Sequence, residues 1–436
     1  MNQTPMGERA HIGIFGRRNA GKSSLINAIT AQDLAVVSPV KGTTTDPVKK
    51  SMELLPLGPV VLIDTPGLDD QGELGAQRVK KAFQALRQVD FALVVLEADR
   101  EVSAANRGAS DADREASGTG LAAERELLAR LRAAEIPFLV VVNKTDLWRK
   151  SEAGGDEEEN VSGQMKNLFD TVSRELSVAR ENIIPVSAAK KTGIDQLKET
   201  IAARMKVSEE KPLIRDLLSP GEFVVLVVPI DSAAPKGRLI LPQQQVIRDA
   251  LEAGAVPVVT RETELAKTLE SLGKAPALVV TDSQVFGRVA REVPREIPLT
   301  SFSILMARYK GDLAVQAAGA RAVENLSDGD TVLISEGCTH HRQCGDIGTV
   351  KLPAWIRKYT GKDLKFAFTS GTEFPEDLSG YALVVHCGGC MLNAREMRSR
   401  IASGGEKGVP ITNYGVMIAY LHGIFDRVLE PFADLL

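Results

Sequence analysis

Short apolar runs, separated by polar loops and by segments with helical spacing, recur along most of this chain. Continuous apolar runs of this kind are typical of strands that are buried on both faces of a sheet. Helical spacing follows the first run, and it returns in Leu121–Ala134. This alternation predicts an α/β domain over residues 1–207. Its predicted strands are His11–Phe15, Val60–Ile63, Phe91–Leu96, Phe138–Val142 and Ile183–Val186.

Strands and helices also alternate over residues 212–298, after a predicted linker at Lys211–Pro220. The predicted strands are Phe223–Ile230, Val256–Thr260 and Ala277–Thr281, and the predicted helices are Gln243–Ala253, Glu262–Leu272 and Ser283–Glu292. The pattern favours a small parallel α/β domain. It contains no clustered histidines, cysteines or nucleophile with a base, so a structural or dimerising role is expected.

A third α/β domain is predicted over residues 299–436. Its clearest elements are the strands Thr331–Ser335 and Ala382–Val385 and the helical segment Asn393–Ala402. Two segments of the first domain, Glu101–Gly120 and Ser151–Asn160, are rich in small, polar or acidic residues. We expect both of them to be loops, because they could bury little apolar surface.

Composition narrows the classes of function. The 436 residues carry 53 basic and 57 acidic side chains, a net charge of −4, so neither nucleic acid nor anionic lipid is an expected partner. No apolar run approaches the ~20 residues that span a bilayer. The first residues lack a signal-peptide pattern, so a cytoplasmic protein is expected. All four cysteines lie in the last hundred residues, which in a reducing compartment favours metal binding over disulfides.

The loop after the first predicted strand fits the pattern G-x-x-x-x-G-K-S/T and precedes a predicted helix. Its glycines allow backbone N–H groups to point at a β-phosphate, and the helix N-terminus adds a favourable partial charge. Lys22 is expected to reach the β- and γ-phosphates, and the Ser23 hydroxyl to bind Mg²⁺. The predicted phosphate-binding residues are Gly16, Asn19, Ala20, Gly21, Lys22, Ser23 and Ser24.

Two further motifs supply groups for the γ-phosphate and for Mg²⁺. The polar segment Gly42–Asp46 can place a hydroxyl or carbonyl of Thr43 or Thr44 on either of them. The strand Val60–Ile63 ends in Asp64-Thr65-Pro66-Gly67, where Asp64 can hold Mg²⁺ through water and the Gly67 N–H can sense a γ-phosphate. The predicted catalytic residues are Lys22, Thr44, Asp64 and Gly67.

The last two strands of the first domain lead to loops that can recognise guanine. Asp146 can accept hydrogen bonds from both N1–H and the exocyclic amine of guanine, a pair of donors that adenine lacks. Asn143 and Lys144 are expected to brace the loop and to pack on the base. The segment Ser187-Ala188-Ala189 can offer a backbone N–H to guanine O6. These motifs, each after a strand and in this order, predict a GTP site.

The first domain resembles the translation-factor-related GTPases, and most closely the branch that contains Era and TrmE, whose first switch carries the GTT-x-D pattern of Gly42–Asp46. Leu68 stands where Ras-like proteins place a catalytic glutamine, so an attacking water must be positioned differently. In potassium-activated members of this branch an asparagine that matches Asn19 helps to hold K⁺. The alternative role for Asn19 is capping of the loop.

In the third domain, two strands end in sulfur and imidazole groups. Thr331–Ser335 leads to Cys338, His340 and His341, and Ala382–Val385 leads to His386, Cys387 and Cys390. Open parallel sheets place their sites at strand carboxyl ends. A C-x-x-C pair alone is also compatible with a redox dithiol, but a third cysteine and His340 at the same end favour a metal centre.

The order C-x-H and then H-C-x-x-C, joined to a GTPase domain and a middle α/β domain, resembles the HydF family of [FeFe]-hydrogenase maturation GTPases along the full chain. The resemblance implies a homodimer or higher oligomer formed through the middle domain and a [4Fe–4S] cluster on Cys338, Cys387 and Cys390. It also implies a scaffold that receives a diiron precursor from two radical-SAM maturases and passes it to apo-[FeFe]-hydrogenase. The fourth iron ligand stays open among His340, His386, Glu430 and Asp434, and Cys344 lies outside the motif.

Two other functions fit parts of the pattern. One is a ribosome- or RNA-associated GTPase with a C-terminal zinc module, against which the acidic balance and the 5% aromatic content argue. The other is a C-x-x-C redox enzyme that is gated by GTP.

Overall fold

The computed structural model describes residues 4–30, 47–70, 72–98, 121–147, 157–205, 211–230, 239–337 and 346–436. It divides into two units, Met1–Ser208 and Glu209–Leu436. Each unit has buried cores of its own, built from the apolar strands and the inner faces of the helices. Within the described residues no helix combines the length and the apolar character that crossing a membrane requires.

The first unit is built on a sheet of six strands, which are β1 Ala10–Gly16, β2 Val48–Leu54, β3 Gly58–Asp64, β4 Phe91–Glu97, β5 Phe138–Asn143 and β6 Ile183–Pro185. Their order is β2-β3-β1-β4-β5-β6, and all neighbours are parallel except β2 and β3. The helices among the described residues of this unit are α1 Lys22–Thr30, α2 Gly72–Ala85, α3 Ala122–Ala133, α4 Glu157–Leu176 and α5 Ile194–Arg204.

The central strands of this sheet are covered on both faces. Val61 and Ile63 of β3 belong to one buried cluster, whereas Val60 and Leu62 belong to another. This alternation explains why the strands are continuous apolar runs in the sequence. Because β1, β3, β4, β5 and β6 are parallel, the carboxyl ends of β1, β3, β5 and β6 lie at the same edge of the sheet.

The structure departs from the predicted loops at one point in the first unit. The helix α4 begins at Glu157, inside the segment Ser151–Asn160 that was predicted to be a loop. The sequence at this start contains three successive glutamates, and glutamate is among the residues with high helix propensity. The segment Glu101–Gly120 lies outside the described residues.

The second unit contains two four-stranded parallel sheets. The strands of the first are β7 Phe223–Val227, β8 Val256–Thr260, β9 Leu278–Thr281 and β10 Leu299–Ser301, in the order β10-β9-β7-β8. The strands of the second are β11 Thr331–Ser335, β12 Lys365–Thr369, β13 Leu383–His386 and β14 Ile411–Asn413, in the order β12-β11-β13-β14. One buried cluster includes residues of both sheets, from Leu213 to Phe432.

Nine α-helices among the described residues accompany these sheets. They are α6 Leu241–Glu252, α7 Leu265–Ser271, α8 Phe286–Glu292, α9 Phe302–Lys310, α10 Leu313–Arg321, α11 Leu352–Thr360, α12 Ala394–Glu406, α13 Tyr414–Leu421 and α14 Phe425–Leu429. A single π-helical turn, Ile347–Lys351, precedes α11.

Two strand boundaries in the second unit differ from the sequence pattern. The strand β7 ends at Val227, before the end of the apolar run Phe223–Ile230, because Pro229 has no N–H for a ladder and Ile230 is 76% exposed. The first sheet also takes its fourth strand from Leu299–Ser301, beyond residue 298. The division between a middle and a last domain at 298 stays a sequence-based prediction.

Candidate functional site

The loop between β1 and α1 turns at two glycines. Gly16 has φ = +149° and Gly21 has φ = +89°, angles that L side chains rarely adopt. A Cβ atom on Gly16 would lie 2.4 Å from the carbonyl oxygen of Val95, and one on Gly21 would lie 2.2 Å from Nδ2 of Asn143. Both positions therefore require glycine, because β4 and the end of β5 lie directly against the loop.

Lys22, the first residue of α1, is buried and points back into this loop. Its Nζ donates to the carbonyl oxygen of Gly16 at 3.0 Å and to that of Arg17 at 2.7 Å. Burial lowers the pKa of Lys22, and the charge of Asp64 acts in the opposite direction. An ammonium group beside the N-terminus of a helix forms a favourable position for a phosphate.

Ser23 and Asp64 meet beside Lys22. The Ser23 hydroxyl donates to Oδ2 of Asp64 at 2.6 Å, and Asp64 stands at the carboxyl end of β3. Burial raises the pKa of Asp64, although the Ser23 hydrogen bond and the Lys22 charge oppose that shift. Two oxygen donors at this distance suit Mg²⁺, and a cation there would offset the cost of the buried carboxylate.

The segment after β3 packs closely on the same loop. The Leu68 N–H donates to the Gly16 carbonyl oxygen at 3.3 Å, and the Arg18 N–H donates to Oδ1 of Asp69 at 2.7 Å. A Cβ atom on Gly67 would lie 3.0 Å from the backbone nitrogen of Arg18. The side chain of Leu68 is buried in the core of the unit, so it offers no polar group to a water molecule.

Asn143 joins the phosphate loop to the loop after β6. Its Nδ2 donates to the carbonyl oxygen of Ala20 at 3.0 Å, and its Oδ1 accepts from the N–H of Ala188, also at 3.0 Å. The Asn143 side chain is buried, and Ala20 and Ala188 are buried with it. One amide therefore sets the spacing between the two loops.

The predicted base-binding residues Asp146 and Ser187 are in direct contact. The Ser187 hydroxyl donates to Oδ1 of Asp146 and accepts from the N–H of Lys190 at 3.1 Å, so the two loops are tied here as well. Lys144 has φ = +65°, and its Nζ donates to Oε1 of Glu97 at 2.5 Å. Glu97 ends β4, and the sequence pattern did not indicate it as a partner of Lys144.

The other predicted nucleotide-binding residues have varied surroundings. Asn19 is exposed in the left-handed region, at φ = +64°, an angle that asparagine tolerates better than most residues. Ala20 is buried, Ser24 is half-buried in α1, and Ala189 is exposed. Thr43 and Thr44 lie outside the described residues.

A buried ion pair next to the phosphate loop was missed by the sequence analysis. Arg17 donates from Nε and one terminal nitrogen to the two carboxylate oxygens of Glu124, at 2.7 and 3.0 Å. Glu124 is 1% exposed and belongs to α3. The residues are 107 positions apart, so no local pattern could pair them.

In the second unit, the adjacent strands β11 and β13 bring Gly337 and Cys387 together. The Cys387 N–H donates to the Ser335 carbonyl oxygen at 2.9 Å, and the Gly337 N–H donates to the Cys387 sulfur at 3.0 Å. The Gly389 N–H donates to the same sulfur at 3.4 Å. Backbone N–H groups directed at a cysteine sulfur stabilise negative charge on it, as ligands of iron–sulfur clusters require.

His386, the last residue of β13, is buried with both ring nitrogens engaged. Arg400 donates to its Nε2 at 2.9 Å, so the proton lies on Nδ1, which donates to the Cys387 carbonyl oxygen at 2.8 Å. Burial, with the charge of Arg400, lowers the pKa of His386 to about 3, so the ring is neutral at pH 7. Binding iron through His386 would require one of these hydrogen bonds to break.

A carboxylate and a phenol also lie near Cys387. The Tyr414 hydroxyl donates to Oε1 of Glu336 at 3.3 Å, and both residues are buried. Burial, together with the nearby Cys387 and Glu336, raises the pKa of Tyr414 well above its usual range. Neither residue was predicted, because a glutamate before a glycine and an isolated tyrosine carry no distinctive signal.

Cys338, His340 and Cys344 lie outside the described residues. Within the parts of the chain that the structure describes, no group of three histidine, cysteine or acidic side chains is placed to hold a metal ion. Cys387 and Cys390 are both half-buried and unbridged.

Family comparisons cover both units. The chain matches the model of the hydrogen maturase F dimerization domain over residues 213–311 and that of its tetramerization domain over residues 314–431. The chain belongs to the hydrogen maturase F family. A third model, the 50S ribosome-binding GTPase, matches residues 11–144, so a P-loop GTPase domain precedes these two domains in the chain. These matches confirm the resemblance and the fold class that the motifs predicted.

Curated relatives match the GTPase part. The tRNA modification GTPase MnmE of Paracidovorax citrulli is 34% identical over 149 residues, which are 34% of this chain and 28% of that protein. GTPase Era of Clostridium acetobutylicum is 29% identical over 198 residues, 44% of this chain and 55% of that protein. The chain thus spans between 28% and 55% of the length of these two relatives.

Solved structures with a similar backbone include Era of Aquifex aeolicus bound to GDP and aluminium fluoride. It is 19% identical to this chain, and the match covers 58% of this chain and 92% of the Era chain, with a TM-score of 0.34. The fold assignment rests on the family models and the strand order, since a TM-score this low does not bear on it.

Proposed function

We propose that this chain is a GTP-hydrolysing scaffold that carries a [4Fe–4S] cluster and delivers a diiron precursor to apo-[FeFe]-hydrogenase. The domain matches to hydrogen maturase F support this proposal, as does the grouping of the GTP motifs at one edge of the first sheet. The observation that carries the cluster proposal is the 3.0 Å hydrogen bond from the Gly337 N–H to the Cys387 sulfur.

The residues of the phosphate loop are suited to hold GTP. Lys22 would exchange its loop carbonyls for β- and γ-phosphate oxygens, with N–H groups of the residues from Asn19 to Ser24 around the β-phosphate. Ser23 and Asp64 would hold Mg²⁺, which when bound neutralises charge on the phosphates. The Gly67 N–H and a hydroxyl or carbonyl of Thr43 or Thr44 would contact the γ-phosphate.

Hydrolysis by this site is proposed to be slow. A glutamine that orients the attacking water is absent after Gly67, because Leu68 occupies that position and is buried. The exposed Asn19 is proposed to help hold a K⁺ ion near the phosphates. Specificity for guanine would come from Asp146, braced by Ser187, and from a backbone N–H of Ala188 or Ala189.

The cluster proposal depends on the position of the third cysteine. Cys338 is the next residue in the sequence after Gly337, whose N–H contacts the Cys387 sulfur, and this adjacency supports our proposal that Cys338 supplies a third thiolate. Three thiolates and directed N–H groups fit an iron–sulfur cluster, for which cysteine sulfur is the usual ligand. The C-x-x-C loop also has the glycine that it needs, since Gly389 has φ = +63° and a Cβ there would lie 2.6 Å from the Met397 sulfur.

Three cysteines leave one iron with a ligand of another kind. His340 is our preferred candidate, because both nitrogens of His386 are engaged with Arg400 and the Cys387 carbonyl. Glu430 forms an ion pair with Arg295 at 3.4 Å. An exchangeable fourth position would allow a second iron unit to dock and later to leave.

The proposed partners are two radical-SAM maturases, apo-[FeFe]-hydrogenase and further copies of this chain. The matches to a dimerization and a tetramerization domain support self-association. The exposed edge strand β8, with Val256 and Val259 at 42% and 46% exposure, is an apolar surface in the first of these domains.

Anaerobic purification tests the cluster proposal. A brown protein with iron, acid-labile sulfide and an EPR signal after reduction is expected. Serine at Cys338, Cys387 or Cys390 should remove most of the iron, whereas Cys344→Ser, the matched control, should keep it. Substitution of His340 should keep most iron and alter the EPR signal. Colourless wild-type protein that contains zinc would instead support the RNA-associated alternative.

The GTPase half is tested separately. Lys22→Ala should abolish GTP turnover, measured by phosphate release, while leaving the iron content of the purified protein unchanged. Turnover that persists in Lys22→Ala would contradict the assigned role of the loop.

A further inference from the structure

A buried lysine lies beneath the C-x-x-C loop. Lys310, the last residue of α9, is 1% exposed. Its Nζ donates to the carbonyl oxygen of Cys390 at 3.0 Å and to that of Leu392 at 2.7 Å. Lys310 falls within residues 213–311, the match to the dimerization domain, whereas both of its acceptors fall within the tetramerization match at 314–431.

These two carbonyls fix the shape of the loop that holds the cysteines. The Leu392 N–H donates to the Gly389 carbonyl oxygen at 3.0 Å, which closes the turn directly after Cys390. On the other side of the loop, a Cβ atom on Gly388 would be in contact with the Met306 side chain of α9, at 3.6 Å. Thus α9 supports the loop along its length, and Lys310 supplies the polar contact.

Burying an ammonium group is costly unless the surroundings compensate for it. The lysine also places a positive charge next to Cys390, whose carbonyl oxygen lies 3.0 Å from its Nζ. A cluster held by three thiolates is negatively charged and becomes more so when it is reduced. A nearby positive charge therefore favours the reduced form, since cluster potentials depend on local charge and hydrogen bonding.

We propose that Lys310 is a positioning residue for the Cys387–Cys390 loop and that its buried charge raises the reduction potential of a cluster bound there. The second part rests on the proposed function, because it requires the cluster. The first part does not, and it applies to the protein without metal.

Hydrogen–deuterium exchange of the metal-free protein tests the positioning role. Lys310→Met removes the hydrogen bonds to the Cys390 and Leu392 carbonyls, so the amides of Gly389 and Leu392 should exchange at least about tenfold faster, the lower limit for losing one hydrogen bond from a charged group. Lys310→Arg should stay close to the wild type. Lys407→Met, an exposed lysine at the end of α12, is the matched control. Unchanged exchange in Lys310→Met would overturn the positioning role.

A redox titration followed by EPR tests the charge effect on the loaded protein. Lys310→Gln keeps a neutral donor without the charge, so its cluster should have a lower reduction potential than the wild type, while Lys310→Arg and Lys407→Met should not. A wild-type potential in Lys310→Gln would overturn the electrostatic role. If Lys310→Met does not fold, Lys310→Ala takes its place in the exchange experiment, while the glutamine and arginine variants still decide the electrostatic role. A wild type without iron would refute the cluster, while the exchange result would still decide the positioning role.

Discussion

Replacing Asn143 by alanine removes the side chain that joins the phosphate loop to the loop after β6. In the folded protein its two hydrogen bonds, to the Ala20 carbonyl oxygen and from the Ala188 N–H, are both 3.0 Å long. Asn143, Ala20 and Ala188 are 2%, 3% and 9% exposed, so water cannot readily replace the lost partners. Alanine therefore leaves one buried acceptor and one buried donor without a hydrogen bond.

Each buried group that loses its only partner costs about 1–3 kcal/mol, so the two together cost about 2–6 kcal/mol. Both loops can relax somewhat, and we expect about 2–4 kcal/mol, the lower part of that range. At about 2–4 °C per kcal/mol for a unit of this size, the melting temperature of the GTPase unit should fall by about 4–16 °C. Because the loops form the nucleotide site, GTP affinity should also fall about tenfold or more, the factor that corresponds to ~1.4 kcal/mol.

Thermal unfolding followed by circular dichroism, with and without GDP, measures the first effect, and titration with a fluorescent GTP analogue measures the second. Asn167→Ala is the matched control, because Asn167 is an exposed asparagine in the same unit, on α4. If Asn143→Ala melts and binds nucleotide like Asn167→Ala, then Asn143 does not connect the loops in the way described.

Three further predictions concern nucleotide choice, the activating ion and self-association. Wild-type protein should prefer GTP over ATP, and Asp146→Asn should lose the preference, since a carboxylate left unpaired by adenine costs about 2–5 kcal/mol; equal wild-type affinities by titration would contradict this. Turnover should be faster in K⁺ than in Na⁺, and Asn19→Ala should abolish the difference; matching rates in both salts would refute the role of K⁺. Val259→Lys on β8 should shift sedimentation towards smaller species, whereas Leu74→Lys, at an exposed position in the first unit, should not, and an unchanged oligomer would exclude this edge.

Much of the fold could be predicted because the strands of parallel sheets are buried on both faces and therefore appear as apolar runs. This held for β1, β3, β4 and β5 and, in the second unit, for β9, β11 and β13. It failed for β2, the edge strand Val48–Leu54, whose half-buried lysines and exposed glutamate give no apolar run. It also failed for the end of β7, where Pro229 ends the strand although the sequence remains apolar.

The candidate sites could be predicted only as far as their residues are local in sequence. The loop that holds Lys22 and Ser23 and the C-x-x-C loop each lie within a few residues of a strand end, so spacing reveals them. The pair Arg17–Glu124 and the contact of Arg400 with His386 depend on tertiary packing. For His386 this changes the expected role. Its position next to a cysteine in the sequence suggested an iron ligand, whereas in the structure Arg400 donates a hydrogen bond to its ring.

The two sites share one arrangement, which explains why the sequence reveals one lysine and not the other. In each, a glycine-containing loop follows a parallel strand. Its backbone N–H groups point towards the expected position of a phosphate in the first site and towards the Cys387 sulfur in the second. In each, a buried lysine donates to two carbonyls of that loop: Lys22 to Gly16 and Arg17, and Lys310 to Cys390 and Leu392. Lys22 lies on the helix that follows its own loop and is therefore part of a recognisable motif. Lys310 reaches its loop from 80 residues earlier in the chain, so only the folded structure shows that a positive charge accompanies the cysteines.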